Sequence, residues 1–147
     1  MRFTRRRAVA VVAAGALAIG GVGGAAAGLP TSGSAQVHTM RFTAFQTANH
    51  NFGKNRFVST DVERRKGKVV GYDAVSGSFN SSTGIFTVNG AIAHRRGLLY
   101  VSATETEAGV LTGKITGGTG VYKGAKGTVE GQAITNKKIQ IVVRYTL

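Results

Sequence analysis

From Thr39 to Leu147 apolar and polar residues alternate with a period of two, and no stretch carries a helical stripe. That alternation commits the chain to half-buried strands. Thr39 to Ala48 reads as a first strand, with Met40, Phe42 and Ala44 on one side. Asn49 to Lys54 reads as a polar loop. Further strands are expected over Arg56–Arg64, Val69–Phe79, Ile85–Ala93, Leu98–Thr106, Val110–Thr116, Thr128–Thr135 and Lys138–Leu147. Turn residues punctuate them, as in Asn80-Ser81-Ser82-Thr83-Gly84. Eight strands joined mostly by short turns suit an all-β, eight-stranded antiparallel up-and-down β-barrel, which removes exposed sheet edges by closing on itself. Such a barrel is just wide enough to be filled by side chains or to hold one small ligand.

The connection between the sixth and seventh strands is unusual. Leu111 to Gly131 holds seven glycines in 21 residues. A phosphate cradle is one reading of such a stretch, and its spacing argues against it. Gly118 and Gly120 are followed by Gly124, one residue late for a dinucleotide fingerprint, and Thr128-Val129 continues as strand. No Gly-Lys pair here is followed by Ser or Thr, so there is no P-loop. A sharply turning corner between strands is the better account.

The first 35 residues read as a removable leader rather than part of the barrel. Arg2, Arg5, Arg6 and Arg7 precede an apolar run from Ala8 to Ile19, and small residues suit cleavage after Ala27 or Ala35. The run is too short for a permanent membrane span. Secretion is therefore expected, by the general route or, from Thr4-Arg5-Arg6, the twin-arginine route. The barrel domain would be residues 36–147. The chain has no cysteine, which excludes disulfides, thiolate metal ligands and cysteine nucleophiles.

The whole chain carries a formal charge of +13. Without the four leader arginines, 15 basic and 6 acidic residues remain, a net of +9. This favours anionic partners such as cell-envelope polymers. The basic residues group at Arg64-Arg65-Lys66-Gly67-Lys68, His94-Arg95-Arg96 and Lys137-Lys138, each in an expected turn. Solvated turn charges are the ordinary account, and an anion patch the alternative.

The segment Ile115 to Gly127 resembles the signature of the allene oxide cyclase and dirigent superfamily. Gly117, Gly118, Thr119, Gly120, Tyr122, Ala125, Lys126 and Gly127 fit its "V-x-G-G-T-G-x-[FY]-x-x-A-[RK]-G" segment position by position. Phe57 to Asp61, Lys68 to Tyr72 and Arg144 to Leu147 resemble other strands of the family in the right order. The leader is similar to that of secreted bacterial members. The resemblance implies an eight-stranded barrel with an apolar cavity, often assembled as a homotrimer. Cyclase members isomerise an unstable epoxide, and dirigent members steer the coupling of reactive intermediates. Neither uses a metal or cofactor. It implies a hydrophobic small molecule as partner and isomerase- or cyclase-like chemistry if the protein is catalytic. A non-catalytic secreted carrier is the alternative.

Four residues are candidates for a site. Asp61 and Asp73 lie across one short turn, where buried carboxylates could act as general acid and base. Each could equally be a rim carboxylate paired with Arg or Lys. Tyr72 and Tyr100 could hydrogen-bond a ligand oxygen, or be amphipathic core or rim residues. Asp61 is also the position nearest to the carboxylates that dirigent proteins use. His94 reads as a turn residue, and no metal-ligand spacing joins it to His38 or His50. No Gly-x-Ser-x-Gly elbow is present. Phe42, Phe45, Phe57, Phe79 and Phe86 read as barrel filling. They do not interleave with basic residues as a nucleic-acid stacking platform would.

Overall fold

The structure, a computed structural model, describes residues 35–147. The leader lies outside the described residues. The strands are β1 (His38–Phe52), β2 (Arg56–Arg65), β3 (Lys68–Asn80), β4 (Ile85–His94), β5 (Gly97–Thr106), β6 (Val110–Gly118), β7 (Lys126–Thr135) and β8 (Lys138–Thr146). A short 3-10 turn covers Gly120–Tyr122. Each strand pairs antiparallel with the next, and β8 closes on β1 to complete the barrel.

Inward positions follow the alternation. Phe42, Ala44, Ile92, Leu99, Val101, Ile139, Ile141 and Val143 join in one buried core. The turns are tighter than the sequence suggests. Asn49 to Phe52 extends β1 instead of looping, because it pairs with Arg56 to Ser59. Lys66 and Gly67 form a two-residue hairpin with φ of 50° and 78°, the double positive φ of a type I′ turn whose twist matches the strands. Phe45 is not barrel filling. It lies on the outer side of β1 between the cations of Arg64 and Lys138, 5.9 and 5.2 Å from its ring.

Strand alternation sends the turns to opposite ends. The β2–β3 and β4–β5 turns, the β6–β7 connection and the start of β1 share one end, and the glycine-rich connection folds over it as a cap. The amide of Thr119 donates to the Leu98 carbonyl at 2.8 Å and that of Val121 to the Arg96 carbonyl at 3.1 Å. Gly120 (φ 57°) makes this docking possible, since a Cβ there would strike the Arg96 carbonyl oxygen. Docking drives Tyr122 inward until it is 7% exposed. Its ring meets Tyr145 at 5.6 Å and His94 at 6.5 Å. At the far end Phe86 packs against Phe79 at 4.5 Å and Phe57 at 6.0 Å. Aromatic rings thus close both ends, and aliphatic side chains fill the middle.

Candidate functional site

The polar content of the interior is concentrated on one wall. β2 presents Phe57, Ser59, Asp61 and Glu63 inward in sequence, all buried. β3 adds Asp73, and β5 adds Glu105. Asp61, Glu63, Asp73 and Glu105 are 4%, 0%, 7% and 1% exposed. Only Glu107 and Glu130 of the six acidic residues remain outside, and no lysine or arginine is buried among the described residues. The barrel is acidic within and basic without.

Asp61 and Asp73 sit directly opposite each other in the β2–β3 register. Directly opposed residues bring their Cβ atoms to about 4.5–5.5 Å, so the two carboxyls share one patch of wall. The single Ser59 hydroxyl proton has two acceptors in reach, Asp61 Oδ1 at 3.1 Å and the Ala48 carbonyl at 3.0 Å, while its oxygen accepts from Gln46 Nε2 at 3.0 Å. The dyad borders an internal cavity of about 40 Å³ lined otherwise by Val75, Val88, Ile92, Leu111 and their aliphatic neighbours. A water needs at least about 10–15 Å³ and takes about 30 Å³ in the liquid, so this is room for one or two.

One step toward the capped end, Glu63 meets His94. Oε2 lies 3.0 Å from Nε2, an ion-pair distance. The approach lacks hydrogen-bond alignment, and Oε1 has no hydrogen-bond partner among the described residues. Gly71 on β3 leaves the room for this carboxylate, because a Cβ there would come within 2.5 Å of Oε2. Burial pushes the Glu63 carboxyl above its ordinary value; His94 pulls it back, and the nearby Asp61 adds a smaller upward push. Burial likewise pushes the Tyr122 phenol up, with a smaller push from Tyr145, so the hydroxyl stays a donor at neutral pH.

The raised Glu63 makes a prediction about stability. A carboxyl that holds its proton more tightly when folded favours the folded state in acid, and that contribution is lost as pH rises from 4.5 toward the raised value. Glu63→Gln removes the titration and keeps the shape. Its melting temperature is expected to match the parent near pH 4 and exceed it at pH 7.5. A difference independent of pH would show that burial of Glu63 carries no such cost.

The structure separates the four sequence candidates. Asp61 and Asp73 face the interior together. Tyr72 and Tyr100 do not, and as cavity groups they are corrected: each lies next to an inward residue, Asp73 and Leu99 respectively, so alternation turns it outward, 59% and 39% exposed. Tyr100 borders an outer groove of about 400 Å³ with Val58, Ala74 and Ala91. His94 is not a turn residue. It ends β4 two positions after the buried Ile92, on the same inward face. Glu63 was missed although it lies two residues from Asp61, the spacing that puts both on one face. Tyr122 belongs to the glycine signature but acts as the plug of the barrel rather than as part of a corner alone.

No protein-family model matches the chain, and no curated protein matches it either. Solved structures do. A pyocyanin demethylase superposes with a TM-score of 0.61 at 24% identity, covering 74% of this chain and all of that one. An exo-specific intermolecular Diels-Alderase gives 0.63 at 13% identity, covering 77% and 98%. A pterocarpan synthase dirigent protein gives 0.59 at 12% identity, covering 82% and 96%. The chain is therefore a closed eight-stranded barrel of the dirigent and allene oxide cyclase-like fold, the architecture that its glycine-rich segment implied.

Proposed function

We propose that this barrel binds a compact hydrophobic molecule in its interior and moves a proton on it, promoting an isomerisation or ring closure with its own side chains. The observation that carries this is the opposed pair Asp61 and Asp73, buried together against an aliphatic cavity. Two like charges so placed disfavour joint ionisation, so the pair keeps one proton to give and one acceptor to receive. Glu63 and His94 form a second proton-handling pair beside it, with Glu63 Oε1 left to meet a ligand. The aliphatic wall excludes water and sets orientation. Solved barrels of this fold are named for small-molecule chemistry, a demethylase and a Diels-Alderase among them, which is consistent with this use. The cavity, about 40 Å³, is far below the roughly 300–1,000 Å³ of ordinary ligand sites. Binding must therefore displace side chains, and the rings at the two ends, Tyr122 or Phe79 and Phe86, are the movable parts.

Native mass spectrometry after incubation with culture extract tests this directly. The expected result is a retained small molecule, with altered tyrosine fluorescence on binding. A barrel that retains nothing and whose tyrosine signal never changes would overturn the reading.

We further place association between copies on the outer surface of β3, β4 and β5. Their outward residues, from Tyr72 through Ala91 to Thr104, include no charged side chain, although the domain is strongly basic. Like-charged copies meet at least cost there. Ala91→Glu is expected to yield monomers by sedimentation velocity where the parent sediments as a larger species.

A further inference from the structure

We propose that the capped end of the barrel is a docking face for an anionic lipid surface, an inference independent of the chemistry inside the barrel. The sequence groups its cations in separate turns. The topology gathers most of them. The β2–β3 hairpin carries Arg64, Arg65, Lys66 and Lys68, all exposed. The β4–β5 turn carries Arg95 and Arg96, also exposed. The glycine-rich cap adds Lys123 and Lys126. Because consecutive turns of an up-and-down barrel alternate between its ends, these three segments form one crown, and the hydrogen bonds from Thr119 and Val121 to the β4–β5 turn hold two of them together. Of the two exposed carboxylates, the one on the β7 strand that leaves the cap, Glu130, is already engaged by Arg144 at 2.8 Å. The far end has fewer exposed cations, Lys54, Arg56 and Lys137, and it carries the exposed Glu107; Lys138 shares the outer wall with Arg64 over Phe45.

One observation favours a lipid surface over a soluble polyanion. Apolar side chains stand among the crown's cations: Val69 is 46% exposed, Val121 37% and Leu147 61%. Cations that attract anionic headgroups, with apolar side chains that enter the headgroup layer, are the combination a membrane surface recognises. A polymer chain would need only the charge. The far end also exposes apolar side chains, Phe52 and Ile134 among them, but without the concentrated charge.

The test is co-sedimentation of the full chain with vesicles of phosphatidylcholine alone, or with about one third phosphatidylglycerol. Binding is expected to the anionic vesicles, falling as salt rises. The combined variant Lys68→Glu, Arg95→Glu, Lys123→Glu is expected to weaken it at least about tenfold, while the charge-matched Lys54→Glu, Arg56→Glu, Lys137→Glu weakens it less than about threefold. Equal losses would show that net charge alone acts, and would overturn the proposal. So would equal binding to both vesicle types, or binding to polyglutamate in the absence of any vesicle binding. If either charge reversal lowers the melting temperature, Arg95→Ala with Lys123→Ala, set against Lys54→Ala with Lys137→Ala, provides the same comparison.

Discussion

Leu99→Ala is expected to cost about 2–5 kcal/mol of folding stability, the range for emptying a fully buried leucine site. Leu99 is 0% exposed, on the inward face of β5 opposite Ile92 of β4. The barrel wall cannot collapse into the space, because its strands are held by hydrogen bonds on both sides. The new void would also lie in an interior that already contains a small cavity. No disulfide shares the load, since the chain has no cysteine. For a domain of this size the loss corresponds to a fall in melting temperature of roughly 10–20 °C. Thermal unfolding followed by circular dichroism measures it, with the exposed Val121→Ala as a control expected to change little. A drop of only about 2 °C would mean that the barrel is held mainly by its backbone ladder rather than by its core.

Asp61→Asn and Asp73→Asn are expected to lower turnover of a retained substrate by about 10²–10⁴-fold each, the usual worth of a positioned acid or base. The double variant should be little worse than either single one, because the two groups act as a unit. Stability should move the other way. Holding a proton on one of two opposed buried carboxyls costs stability at pH 7, and an asparagine there removes that cost, so the melting temperature at pH 7 should hold or rise. Activity lost while stability is kept separates a chemical role from a structural one. Tyr72→Phe and Tyr100→Phe serve as controls with nearly full turnover, since both hydroxyls lie outside the barrel. Retained turnover in both Asn variants would remove the dyad from the mechanism and leave Glu63 and His94 as the acid–base pair. The pH profile of the parent would report values belonging to the dyad rather than to either aspartate.

The sequence reading reached Asp61 and Asp73 but not Glu63 or His94, although the same period of two governs all four. The step of two from Asp61 to Glu63 places both carboxyls on one face of β2, and the step from Ile92 to His94 does the same on β4. The same rule turns Tyr72 away from Asp73 and Tyr100 away from Leu99. Phe45 misled for a related reason. A large aromatic side chain reads as core, but the alternation of β1 puts it outside, where Arg64 and Lys138 cover it. The 3.0 Å approach of Glu63 to His94 was not legible. It joins β2 to β4 across β3, and it depends on Gly71 leaving that space open.

The sequence by itself determined the strand order, the closure into a barrel and the two alternating faces of each strand. These follow from a period of two and from turn chemistry, which are local properties of the chain. Only the tertiary structure decided how the strands stagger, which residues meet across the wall, and that the glycine-rich segment caps one end with Tyr122. It also decided that cations far apart in sequence gather at that end while four carboxylates turn inward. Those are relations between distant strands, set by the register of closure and by the packing of side chains into one shared interior.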